Sequence, residues 1–242
     1  MKIQLAWLAA LVLSLSANAE TPPKTKVLLI TGGHAFETEP FYKVFQENPD
    51  IAFTAAAHEK VSATAYERDD LATYDVVVLY DMPMKITEAQ KARMLSLFER
   101  GTGVVVLHHA LVSYQEWPDY ERIIGGRYPK PPAGEPQVTE AVGYEHNCEI
   151  PVVIIAKDHP ITAGLLDFVI RDEIYWGFRV GKDVTPLITT THPKAGKPLA
   201  WTRTEGKSRI VYLQLGHDHL AYDNPNYRQI VARSIRWAAK VP

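Results

Sequence analysis

Gly103-Val-Val-Val-Leu-His-His109 sets four apolar residues, three of them β-branched, between a glycine and a pair of histidines. No polar residue alternates with the valines, so the run reads as a strand covered on both faces, as strands of a parallel α/β sheet are. Val76-Val-Val-Leu79 and Lys26-Val-Leu-Leu-Ile30 have the same character. Further strands are expected over Ile51–Thr54, Val152–Ala156, Thr185–Thr190, Pro198–Thr202 and Arg209–Leu215. Helical patterns fall between them at Glu39–Glu47, Thr87–Arg100 and Tyr227–Ala239. Thr87-Glu-Ala-Gln90 has the form of a capping box, and Gly101 is placed to stop that helix. Strand and helix alternate through the first half, which predicts a mostly parallel central sheet between helical layers. The strands from Thr185 to Leu215 follow one another with short connections, which predicts an antiparallel extension. Tyr128-Pro-Lys-Pro-Pro-Ala-Gly-Glu-Pro136 reads as a surface loop that can act as a lid.

Composition narrows the function. The 242 residues carry a formal net charge of −2 and are 46% hydrophobic, so neither nucleic acid nor an anionic membrane surface is expected as a partner. Met1-Lys2, an apolar run from Leu5 to Leu15 and Ser-Ala-Asn-Ala19 match the three parts of a secretory signal peptide, which predicts a periplasmic or secreted chain starting at Glu20. Residues 20–242 then form one domain. Cys148 is the sole cysteine, which rules out an internal disulfide; its surroundings suit a structural thiol rather than a nucleophile.

Ligands of open parallel sheets sit beyond the carboxyl ends of the strands. Three apolar runs end in histidine: Thr31-Gly-Gly-His34, Leu107-His-His109 and Gln214-Leu-Gly-His-Asp-His219. His34, His109 and His217 are therefore expected to converge on one sheet edge. His108 should face away from His109, while His58, His146, His159 and His192 read as loop, turn or surface residues.

Together with Asp158-His-Pro-Ile-Thr-Ala-Gly164, Asp172-Glu-Ile-Tyr175, Asn224-Pro225 and Arg228-Gln229, these motifs resemble the trehalose-utilisation (ThuA-like) family across nearly all of residues 20–242. The resemblance implies a flavodoxin-like, class I glutamine amidotransferase-like three-layer sandwich. In that superfamily the turn after the central strand carries a nucleophilic cysteine. Here it reads Leu107-His108-His109-Ala110, so amidotransfer through a thioester has no nucleophile.

Imidazoles joined by a carboxylate are the ligand set of Zn, Ni, Cu or Fe. His34, His109 and His217 are the candidate ligands and Glu173 the candidate carboxylate, unless Glu173 pairs instead with Arg171, Arg179 or Arg203. No nucleotide cofactor is implied. Tyr175, Trp117 and Tyr222, the last expected at the site rim, offer aromatic faces for a pyranose, with Arg228 as a polar contact. The family's setting, in which a partner dehydrogenase oxidises a glycoside at C3, implies a 3-keto-glycoside substrate and a metal-assisted lyase, hydrolase or isomerase. Its base is drawn from His219, Asp218 and Glu173. A non-catalytic sugar-binding module and a metal-free histidine hydrolase are the alternatives.

Overall fold

A computed structural model describes residues 23–132 and 134–241. The signal-peptide reading of residues 1–19 lies outside the described residues. In chain order the elements are β1 (Thr25–Gly32), α1 (Thr38–Gln46), β2 (Ile51–His58), β3 (Val76–Asp81), α2 (Glu88–Arg100), β4 (Gly103–Leu107), α3 (Pro118–Ile124) and β5 (Gly126–Arg127). They continue with β6 (Gly143–Ile154), β7 (Phe168–Trp176), β8 (Arg179–Val180), β9 (Thr185–Thr190), β10 (Ala200–Glu205), β11 (Ser208–Leu213), α4 (His219–Tyr222) and α5 (Pro225–Ala238).

Nine strands form one sheet in the order β2-β1-β3-β4-β11-β10-β9-β6-β7. The five from β2 to β11 are parallel, and the remaining pairs are antiparallel. Every residue of β3 and β4 is buried, as unbroken valine runs require. One face of β1, β3 and β4 (Val27, Leu29, Val76, Val78, Val105, Leu107) packs on α1 and α5, and the other (Leu28, Val77, Leu79, Val104, Val106) on α2 and α3. This is the expected three-layer sandwich. Thr87 caps α2 in a capping box with Gln90, and Gly101 ends it in the left-handed conformation at φ 87°.

Three elements, β6, β7 and α3, depart from the sequence reading. The antiparallel extension is larger than Thr185–Leu215, because β6 begins at Gly143 and β7 fills the far edge. Neither shows clean alternation: β6 is interrupted by a bulge between Glu145 and Cys148, and β7 carries Arg171, Asp172 and Glu173 at its centre. Helix α3 was hidden because it is only seven residues long and opens on Pro118. Cys148 is buried and makes only weak contacts to backbone carbonyls, with burial pushing its thiol up, as expected of a structural residue.

Candidate functional site

The carboxyl ends of β1, β4, β7 and β11 and the start of β6 meet around one cavity of about 360 Å³. His34, His109 and His217 all line it, so the three histidine-bearing strand ends do converge. Their placement differs from the expected one. His108, Glu173 and His217 each present one ligand atom, and those atoms lie within 4.8 Å of one another. His34 and His109 are not in that group. They stack on each other at 4.7 Å between ring centroids, and His109 is buried against Tyr80, with Nε2 lacking a hydrogen-bond partner.

The inversion of His108 and His109 comes from the turn after β4. His108 has φ 49°, a left-handed conformation uncommon outside glycine. It therefore points toward β7 and β11 instead of continuing the strand alternation. Its Nδ1 donates to the Gln214 carbonyl at 2.6 Å. In the neutral ring Nε2 then carries the lone pair. That atom sits 2.9 Å from Glu173 Oε2, 2.8 Å from the Tyr175 hydroxyl and 3.3 Å from His217 Nδ1. His217 Nδ1 is 3.4 Å from the same Glu173 oxygen. An imidazole lone pair and a carboxylate at 2.9 Å repel unless a positive centre, a ring proton or a metal ion, lies between them.

Burial works against the Glu173 anion, yet hydrogen bonds from His108 and His217 and their charge hold its carboxyl below the usual carboxylate range. Burial likewise opposes the His217 cation, but Glu173 outweighs it and holds the ring above the usual imidazole range. Burial and the neighbouring His108 push His109 well below that range, so it is neutral at pH 7. Burial also lowers His34, against a hydrogen bond to the Ala35 carbonyl.

Glu173 pairs with none of the three expected arginines. Arg179 holds Glu121, Arg203 holds Asp183 and Glu205, and Arg171 reaches the Asn147 carbonyl. The second Glu173 oxygen, Oε1, instead meets His146 Nδ1 at 3.0 Å. In the β6–β7 ladder Glu145 pairs with Ile174 and Cys148 with Asp172, so His146 and Asn147 together oppose Glu173. Such a bulge re-aims a side chain, and here it turns a histidine with no visible motif into the cavity. Asp172, on the other face of β7, accepts from the backbone amides of Gly216 at 2.7 Å and His217 at 3.0 Å. It fixes the turn that carries His217.

The remaining expected contacts divide. Tyr175 lines the cavity, its hydroxyl kept protonated by burial. Tyr222 is fully buried, not at the rim, and bonds to Tyr80 and the His217 carbonyl. Trp117 packs between Tyr114 and Tyr120 outside the cavity. Arg228 is held by Glu47 and Asp223. Asp218 caps α4, and His219 pairs with Glu37; neither lines the cavity. Of the three candidate bases only Glu173 lines the cavity. Helix α4 begins at His219, so the extended backbone that would have aligned His219 with His217 ends there.

The trehalose-utilisation (ThuA) family model matches residues 26–238. No curated protein matches the sequence significantly. Among solved structures, a ThuA-like protein from Parabacteroides merdae superposes with TM-score 0.74 at 24% identity, covering 90% of each chain. One from Bacteroides uniformis gives 0.65 at 21% identity, covering 93% of this chain and 95% of that one. A β-galactosidase from Rahnella sp. R3 matches at 0.59 and 14% identity, over 90% of this chain and 32% of its own length. With a family match spanning nearly all described residues, this chain belongs to the ThuA trehalose-utilisation family.

Proposed function

We propose that the chain is a sugar-directed enzyme that acts on 3-keto-glycosides with a divalent transition metal held by His108, Glu173 and His217. The supporting observation is the meeting of His108 Nε2, Glu173 Oε2 and His217 Nδ1, three lone-pair atoms in one corner of a cavity. Two histidines and a carboxylate form a set used for zinc and for non-haem iron. A metal bound there supplies a Lewis acid for the C3 carbonyl oxygen. Membership of a sugar-utilisation family supports the substrate class.

His146 takes the part of the base. Its Nδ1–H donates to Glu173 Oε1, which leaves Nε2 as an acceptor on a ring that is half exposed and lines the cavity. The C3 ketone acidifies the C2 proton. As His146 takes it, the C2–H electrons form C1=C2, and the C1–O bond breaks to release the aglycone, which leaves as an alcohol after protonation. The His108 ring is oriented by its Nδ1–H bond to the Gln214 carbonyl, which keeps the Nε2 lone pair available to the metal. A dehydrogenase that oxidises C3 would supply the substrate. The Met1–Ala19 segment supports action after export; Edman sequencing of protein from the periplasmic fraction should begin at Glu20.

The test is aglycone release from a 3-keto-glucoside and from its unoxidised parent. Turnover of the 3-keto compound alone, lost on chelation and reduced about 10²-fold or more in His146→Ala, is expected. Binding without turnover would favour a sugar-binding module. Chelator-insensitive turnover that follows imidazole titration would favour metal-free acid–base chemistry.

A further inference from the structure

The cavity does not end at the sugar-sized pocket. Lys130 and Gln137, which line it, also line a second, shallower groove of about 510 Å³ with Met84, Gln115, Pro131 and Pro132. The inner cavity, about 360 Å³, is near the small end of ligand sites, which run from about 300 to 1,000 Å³. A pyranose seated against the histidine cluster can extend a C1 substituent past Lys130 and Gln137, the two residues that the cavity and the groove share.

The chemistry of the groove selects that substituent. Of the groove's polar residues, Lys130 and Gln137 stand where it joins the cavity, and the amide of the third, Gln115, is spent inside the protein. Its Nε2 donates to the Val112 and Tyr128 carbonyls at 2.7 and 3.0 Å, and its Oε1 accepts from Lys130 N at 3.1 Å. Past the boundary pair, the described walls are the Met84 thioether and two proline rings. A second hexose carries a ring of hydroxyls, and beyond Lys130 and Gln137 at the boundary these walls offer them no partner, so hydroxyls docked against Met84 and the prolines lose hydration without replacement. An aromatic or apolar aglycone has no such cost and gains contact with Met84 and the prolines.

We infer that the Met84–Pro131–Pro132 groove is the leaving-group subsite, and that it directs this enzyme to glycosides with an apolar aglycone in preference to disaccharides. The inference rests on the proposed reading of the cavity as a sugar site.

Kinetics should compare the 3-keto derivatives of methyl glucoside, benzyl glucoside and trehalose, using methyl and benzyl because their alcohols are of similar acidity. The benzyl compound should exceed the methyl one about tenfold in kcat/KM, carried by KM, as partial burial of a phenyl ring provides. It should also exceed 3-keto-trehalose. In Met84→Ala the benzyl-to-methyl ratio should fall toward one, and Met84→Leu should keep it; matching unfolding midpoints confirm that both variants fold. A wild-type ratio near one, or a preference for 3-keto-trehalose, overturns the subsite. If no 3-keto compound is turned over, the reaction reading fails, and calorimetry with benzyl and methyl glucoside decides the groove alone. Tighter benzyl binding that is lost in Met84→Ala sustains it, and equal binding refutes it.

Discussion

Replacing Asp172 by Asn tests how the site is held together. The carboxylate is fully buried on β7 and accepts three backbone amides: Gly216 on Oδ2 at 2.7 Å, and His217 and Glu173 on Oδ1 at 3.0 and 2.8 Å. Burial raises its pKa, against these hydrogen bonds and the nearby His108. Asn keeps one acceptor oxygen and sets an amide NH₂ against the Gly216 N–H. One charge-assisted bond is lost, worth about 1.5–3 kcal/mol, and a buried donor is stranded at a further ~1–3 kcal/mol. Relief from burying a charge offsets part of this, leaving a destabilisation of about 2–4 kcal/mol. For a chain of this size that lowers Tm by roughly 4–16 °C. Because Asp172 fixes the turn bearing His217, metal affinity should also fall about 10–100-fold, as it does when outer-shell partners of ligands are removed. Urea unfolding and zinc titration measure the two effects. A variant within ~0.5 kcal/mol of wild type with unchanged zinc affinity would refute the claim that Asp172 holds the site.

Zinc affinity should begin to weaken above the usual imidazole range and keep falling as pH is lowered through it, because Glu173 favours the His217 cation and uptake must displace its proton; calorimetry in buffers of different ionisation enthalpy would register the released protons. Gly32 lies at φ 107°, and a Cβ there would meet the His58 carbonyl oxygen at 2.1 Å, so Gly32→Ala should cost at least about 2 kcal/mol in urea unfolding. Arg228→Ala should leave KM unchanged and cost no more than ~1 kcal/mol, since its partners are surface carboxylates and the Tyr222 carbonyl. Glu121 is held below the usual carboxylate range by its hydrogen bond from Arg179. A depressed carboxylate stabilises the fold above its ordinary pKa and loses that contribution as pH falls through the lowered one. The penalty of Arg179→Met, under ~1 kcal/mol at neutral pH, should therefore vanish in acid.

The sheet was legible because valine runs covered on both faces leave little freedom: β1, β3, β4 and β11 fall within a residue or two of their expected bounds, and the α2 capping box is present as expected. The edge at which the site lies was legible too, since it follows from strand direction alone. Which histidine points where was not. Strand alternation assigned His109 to the ligand set, but the left-handed φ of His108 breaks the alternation at that residue. His146 was dismissed because its placement depends on a bulge opposite Glu173, in a ladder between strands neither of which has a clean period. Tyr222, Trp117 and Arg228 sit near the motifs in sequence, but a buried tyrosine pair, an aromatic cluster and surface ion pairs claim them.

His108 and His109 are neighbours in the chain, and the proposed metal site gives them opposite roles, so the most direct test is zinc binding by the purified protein beside His108→Ala and His109→Ala. Near-stoichiometric zinc in wild type, lost in His108→Ala and retained in His109→Ala, is the expected result. Zinc that survives His108→Ala and is lost in His109→Ala would contradict the central assignment and restore the set His34, His109 and His217. A folded wild type that takes up no divalent metal would remove the metal from the account altogether.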